Sequence, residues 1–439
     1  MALIRYDRWK RGPTSPAVGS GAWRHRPKRG DGGRFVGHSR RSVLSLGAFG
    51  LAAGLAGCSL DDNASPNDPT HTPEPSATAE LSPTPTQPPV ASPVPGYADP
   101  TRWEGRTLNI AAWGGDYQHA QNDVFFKPFT AATGASIEEK VADIGGLRDQ
   151  VESEDVIWDV MTVPMEQMVR LARDNVLEPM NYDVVDRTPL FQDIALEYGV
   201  GVAYFSTTMI YSFDSTAIPQ DWTSFWDVPP VVEGTDIPPE DLRCLHRYPI
   251  GTLEFALLAD GVPIDELYPL DTERAFASLD KIRDNVLVWW QESKEPAELI
   301  AAEAVAIASS WNVRIPQLDL TDVVRINWYQ GMLSADAWIV PRGAPNQDVA
   351  FDFINFATRA IPQANFSLLV PYGPVNIDSF ALIRNDRLAT LPSAPGNKPL
   401  QFVENWSYWA EYEERLTAEF EEWLLSPDGT PEPEAENSD

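Results

Sequence analysis

The chain reads as an α/β protein in two lobes, and three observations carry that reading. Strand-like and helix-like segments alternate from about Arg106 to Leu425, as an α/β architecture requires. That span of roughly 320 residues exceeds one comfortable hydrophobic core, so two are expected. It is bounded by a Pro/Ser/Thr-rich stretch upstream and an acidic tail from Ser426 to Asp439. In order, Thr107 to Ala112, Ser136 to Val141, Asp159 to Val163 and Val200 to Tyr211 read as strands. Val286 to Trp290, Val305 to Ser309, Val324 to Trp328 and Ala337 to Val340 read likewise. Leu253 to Asp260, Asp271 to Asp284, Gln347 to Ala357 and Ile361 to Leu369 read as helices, the third with Asn346 as N-cap. Phe125 and Phe129 stand at i, i+4 on a helix that Pro128 kinks or restarts and Gly134 closes. Near the end, Leu416, Phe420, Trp423 and Leu424 make one apolar stripe among glutamates, the pattern of a helix that packs.

Ahead of the lobes, Ser39-Arg40-Arg41-Ser42 runs into a short apolar stretch, Val43 to Ala56, that ends in Leu55-Ala56-Gly57-Cys58. That stretch is too short to span a bilayer, and twin arginines before it predict a twin-arginine export signal over 1–57. Leu-Ala-Gly-Cys resembles a lipobox, which implies acylation of Cys58 and a mature chain beginning there, held on the outer face of the cytoplasmic membrane. From Ser59 to Pro100 eleven prolines fall in 42 residues, so 58–105 reads as a tether. The expected divisions are then 106–205 as the first part of lobe 1, 206–336 as lobe 2, 337–425 as the return to lobe 1 with C-terminal helices, and 426–439 as a disordered tail.

Charge narrows the partners. Removing 1–57 takes away eleven Lys/Arg and two Asp/Glu, moving the formal charge from −31 to about −40. Such a field repels phosphate, so nucleic acid is excluded as a partner, and it suits a cationic ligand or an acidic solvated surface equally. The two cysteines, Cys58 and Cys244, offer no intramolecular disulfide once Cys58 is acylated. The five histidines are scattered without metal-ligand spacing, and no nucleophile elbow, triad order or phosphate loop accompanies the acids. No cofactor or metal is expected, and a secreted hydrolase is the weaker alternative.

Leu108-Asn109-Ile110-Ala111-Ala112-Trp113-Gly114-Gly115-Asp116-Tyr117, then Phe126-Lys127-Pro128-Phe129, resemble the opening of a bacterial extracellular solute-binding protein of the spermidine/putrescine-binding type. Leu253 to Val262, Trp289-Trp290, Trp311-Asn312, Pro341 to Asn346, Phe353 to Ala357 and Pro371 to Asn376 continue it in family order. The resemblance implies a type II periplasmic-binding fold, with crossover strands near Tyr204 to Tyr211 and Asp336 to Val340 and a hinge between the lobes. It implies a monomer that closes on a small solute and presents it to an ABC permease.

A polyamine needs carboxylates for its ammonium groups and aromatic faces along its methylenes. Trp113 and Tyr117, on the loop leaving the first strand, match the family's cleft aromatics. Asp116 between them adds charge or caps the helix. Asp336 matches the acid that pairs with the ligand amine; alternatively it bridges an internal arginine such as Arg314. Trp311 and Tyr372 match further cleft aromatics. Glu166 is a ligand contact or a helix-dipole acid, and Tyr204 lies near the crossover. Two departures stand out: Tyr248 and Gly251 replace the acidic pair of spermidine binders, and Ser334 replaces a stacking tryptophan. The expected solute is a polyamine or related small organic cation, the two departures pointing to a smaller or less charged one, with an amino acid derivative or a thiamine-like cation as alternatives.

Overall fold

Leu108 and Ile110 drop to one face of Thr107–Ala112 and are fully buried, which fixes that segment as strand β1. The computed structural model describes residues 87–426 apart from 216, 217 and 233. The export signal, Cys58, most of the tether and the acidic tail lie outside the described residues. Eight further strands follow: β2 (Ser136–Val141), β3 (Val160–Pro164), β4 (Val200–Ser212), β5 (Arg243–His246), β6 (Val286–Trp290), β7 (Ile307–Trp311), β8 (Val324–Ile339) and β9 (Phe402–Val403). They form one sheet in the order β2-β1-β3-β8-β4-β7-β5-β6, with β9 added beside β8.

At either end the strands run parallel, β1 with β2 and β3, and β5 with β6 and β7. The antiparallel pair β4 and β8 joins the two halves. At about 3.3 Å per residue, strands of 13 and 16 residues reach on the order of 40–50 Å, long enough to run through both lobes. Each half carries its own core. Phe125, Phe129, Val160, Trp338, Phe353 and Phe356 pack under β1 and β3. Leu245, Leu253, Phe255, Phe276 and Trp409 form a second cluster, and Cys244, Trp290, Leu299 and Ile315 a third, both around β5.

Pro128 acts through the turn before it. Lacking an N–H and crowding the carbonyl four residues back, it opens Asn122–Phe126 into a π-turn between the helices Gly115–Gln121 and Lys127–Thr133. Gly134 ends the second at φ 80°. The helix Pro249–Ala259 starts late: Ile250 and Gly251 are non-helical, and the Glu254 side chain accepts from the Gly251 N–H. The helix expected over Asp271 to Asp284 is Thr272–Asp280, and β7 begins two residues beyond its expected start. Asn346 precedes Gln347–Ala357 without capping it, its side chain turning instead to Asp159 and Arg106.

Two larger differences concern the ends. Packed chain begins well before Arg106, because Tyr97 and Trp103 anchor residues 87–105 onto the first lobe. The Tyr97 hydroxyl donates to Asp352 and accepts from Asn355, Trp103 Nε1 donates to Asp352 at 2.7 Å, and Val90 pairs with Asn365. The terminal helix Trp406–Leu425 buries Leu416, Phe420 and Trp423 in the β5-side core, while its first half lies along the helix Met165–Arg173 of the other lobe. There Glu413 accepts from Gln167 and pairs with Arg170 at 3.0 Å. Among the described residues no helix is long and apolar enough to cross a membrane, and no acid, histidine or cysteine cluster could hold a metal ion.

Candidate functional site

Gly114 and Gly115 both sit at positive φ, 80° and 65°, a pair of conformations that side chains resist. This turn ends β1 sharply and leaves Trp113 as an exposed lip, with Tyr117 one helical turn further in. Both line a cavity of about 440 Å³ between the two halves. β3 and the helix start after it add Pro164 and Glu166, the crossover strands add Phe205, Thr207, Met332, Ser334 and Asp336, and the second lobe adds His246, Tyr248, Trp311 and Arg314. Tyr372 and Glu404 arrive from the returning chain.

Six of the sequence-predicted residues therefore share one cavity: Trp113, Tyr117, Glu166, Trp311, Asp336 and Tyr372. Two do not. Asp116 is exposed in the first turn of Gly115–Gln121, where it complements the helix dipole. Tyr204 is fully buried on the opposite face of β4, against Phe191 and under the Lys398 ammonium; Phe205, one residue on, takes the cavity face. The aromatic walls are continuous, with ring centroids 4.9 Å apart for Tyr117 and Tyr372, 6.0 Å for Phe205 and Trp311, and 5.6 Å for Trp290 and Trp311.

Asp336 forms no ion pair with Arg314. Burial pushes its carboxyl up to about 6, and the Tyr117 hydroxyl, which makes no well-formed hydrogen bond, lies close enough to offset part of that rise. Arg314 donates to Gln317 at 2.7 Å and leaves its Nε buried without a partner. Burial and the Asp336 charge hold the Tyr372 hydroxyl in its neutral form, with Arg314 acting the other way, so this ring stands within the field of both charges. Glu166 is pushed to about 8 by burial and by the neighbouring charges of Glu413 and Asp336. Burial and Glu166 raise Glu404 well above the carboxylate range. His246, stacked on Trp290 at 3.9 Å, is driven down to about 3 by burial and is neutral. Burial and mutual repulsion thus favour the protonated form of the acids in this cavity, Glu166 and Glu404 more strongly than Asp336, beside one guanidinium.

Tyr248 and Ser334, noted from the sequence as departures from the spermidine pattern, also line the cavity, whereas sequence reasoning missed the placement of Phe205 and Glu404. Glu404 follows a two-residue strand in irregular chain, where no periodicity marks it.

A two-lobed α/β molecule joined by crossover strands, with a wide aromatic cleft holding isolated charges, defines a solute-binding protein. A family model described as bacterial extracellular solute-binding protein matches residues 125–395, and the chain belongs to that family. It is 30% identical over 343 residues to the gamma-aminobutyric acid-binding protein of Pseudomonas aeruginosa, covering 74% of this chain and 93% of that protein. Among solved structures, the Atu4243-GABA receptor is 30% identical with a TM-score of 0.66, covering 75% of this chain and all of that one. AgtB of A. tumefaciens R10 in complex with agropinic acid is 29% identical with a TM-score of 0.59, over 73% of this chain and 99% of that one. The spermidine/putrescine-binding PotD of Streptococcus pneumoniae shares the fold at 15% identity, with a TM-score of 0.57 over 73% of this chain and 98% of that one. The chain is accordingly a solute-binding protein of an ABC transporter, handing a small molecule to a permease.

Proposed function

We propose that the solute is a small zwitterionic ω-amino acid of the γ-aminobutyrate class, captured between Asp336 and Arg314. The observation that carries this is the unpaired state of those two charges within one aromatic cavity: a ligand ammonium satisfies Asp336 and a ligand carboxylate satisfies Arg314. Both charges are half-buried, an unpaired charge costs more the less water reaches it, and a zwitterion compensates both at once. Tyr117 and Tyr372 stand beside Asp336, Trp113 lies at the cavity rim, and the Arg314 guanidinium is 5.8 Å from the centre of the Trp311 ring. The names of the 30%-identical relatives agree with this class.

A polyamine such as putrescine is the second reading, and the three cavity acids favour it. Against it stand Arg314, which would repel the second ammonium, and the upward shift of Glu166 and Glu404 by burial and mutual repulsion, which disfavours their charged forms. The remaining sequence expectations, acylation of Cys58 and the division at 205/206 and 336/337, stand as proposals beside this one. Calorimetric titration with γ-aminobutyrate and with putrescine separates the readings: saturable γ-aminobutyrate binding, weakened by Arg314→Met, is expected. Putrescine binding that Arg314→Met strengthens, with no γ-aminobutyrate binding, would replace the zwitterion by a diamine.

A further inference from the structure

Beyond the two charges needed for a zwitterion, the cavity holds two carboxyl groups with no cation of their own. Glu404 is 5% exposed; its Oε2 accepts from Ser334 Oγ at 2.7 Å, and its Oε1 is buried with no hydrogen-bond partner. Glu166, 8% exposed, faces the same cavity from the start of the helix Met165–Arg173. Around this pair the charged groups are Asp336 on β8, Glu413 on the terminal helix, Glu254 on the β5-side helix and Arg170, which Glu413 already engages. Acids dominate, so ionising both members without a bound cation would place uncompensated charge in a poorly hydrated space.

We propose that Glu404, with Glu166 beside it, forms a second polar subsite that hydrogen-bonds an uncharged hydroxyl of the ligand, making the solute a hydroxylated ω-amino acid. This rests on the zwitterion reading and narrows it. A protonated carboxyl donates through one oxygen and accepts through the other, which suits a hydroxyl, itself donor and acceptor. The spacing agrees. Ser334 and Asp336 are two residues apart on a regular stretch of β8, so their side chains point to the same face from Cα atoms roughly 7 Å apart. Ser334 holds Glu404 at its own end of that interval. A ligand ammonium on Asp336 and a hydroxyl on the adjacent carbon, each with a hydrogen bond of about 2.8 Å, cover such a span.

The test is calorimetric titration of the protein with γ-aminobutyrate, its β-hydroxy analogue and putrescine. The wild type should prefer the hydroxy analogue about tenfold, the value of one buried hydrogen bond. Glu404→Gln should keep the preference, since an amide still donates and accepts, and Glu404→Leu should erase it. Equal wild-type affinity for the two amino acids overturns the subsite and leaves the zwitterion reading intact; this comparison needs no variant, so a Glu404→Leu protein that fails to fold does not shelter the proposal. Parallel loss of both ligands in Glu404→Leu also overturns it. Tighter binding of putrescine, abolished by Glu404→Gln, would show an ionised cation site instead. Failure of both amino acids to bind overturns the zwitterion reading and this one with it.

Discussion

The two charged ends of the cleft are built differently. Asp336 sits on a continuous crossover strand, paired to β3 on one side and β4 on the other, and is enclosed by Tyr117 and Tyr372. Arg314 sits on the four-residue helix Arg314–Gln317 at the end of β7, hydrogen-bonded to Gln317 and beside the Trp311 ring, with its Nε unsatisfied. One end is fixed by the sheet before any ligand arrives, and the other is left incomplete. Rigid placement of the buried charge matters most where desolvation is severe; a guanidinium with a flexible stem tolerates a looser setting.

Breaking the fixed end should therefore do most. Asp336→Asn leaves a ligand ammonium buried beside a neutral amide, and truncating one partner of a buried charge pair costs about 2–5 kcal/mol, so affinity should fall on the order of 30- to several-thousand-fold in calorimetry. Thermal melts of the ligand-free variant should show equal or higher stability, because the acid has no cation to lose. A lower melting temperature with unchanged affinity would move Asp336 out of the site. Arg314→Met keeps the stem and removes the charge; γ-aminobutyrate affinity should drop roughly 10- to 100-fold, less than for Asp336→Asn because this end is partly open.

Acidity should separate the ends as well. The free protein holds a proton on Asp336 below about 6, and an ammonium ligand requires the carboxylate, so binding releases that proton. Affinity should fall up to about tenfold per pH unit below 6 and level off above it, except for a further, smaller rise if Glu166 ionises near 8. Stability of the ligand-free protein runs the other way: with the folded carboxyl raised above its ordinary 3.8, this group's contribution is largest below that value and declines as pH climbs to about 6. In Asp336→Asn the affinity profile between about pH 5 and 7 should flatten; a slope that survives would assign it to another group. The smallest effect is expected for Gln317→Leu, which frees the guanidinium and should weaken γ-aminobutyrate about two- to threefold. A larger loss would mean that the Arg314 end is as preset as the other.

The same contrast explains what can be read from the chain. β1, β2, β6 and the helix Gln347–Ala357 have the expected bounds, each a short segment closed at its ends by turn or cap residues. The pattern of β8 predicts two strands, since Gln330, Gly331, Ser334 and Asp336 interrupt its apolar run. Its continuity comes from pairing with β4, whose register breaks between Thr207 and Met209, where Met332 and Asn327 are the opposing partners. Tyr204 is expected near the ligand, yet strand alternation beside a second irregularity, at Gly201 and Ala203, turns Phe205 inward instead. Proline content hides the packed stretch before Arg106: its placement rests on Tyr97, whose burial and hydrogen bonds outweigh the composition around it. Of the cavity charges, Asp336 is legible through the family resemblance, whereas Glu404 depends on a fold-level return that no local pattern encodes.

The described chain enters on one lobe and leaves on the other. Gln87 is tied to Leu382 and Arg384 beside the first core, whereas Ser426 is held by Arg283 against the second. Dyes placed at these two points would straddle the cleft without touching its walls, so their energy transfer would follow the angle between the lobes directly. The polypeptide thus carries its own pair of calipers, readable in single molecules before any solute is known.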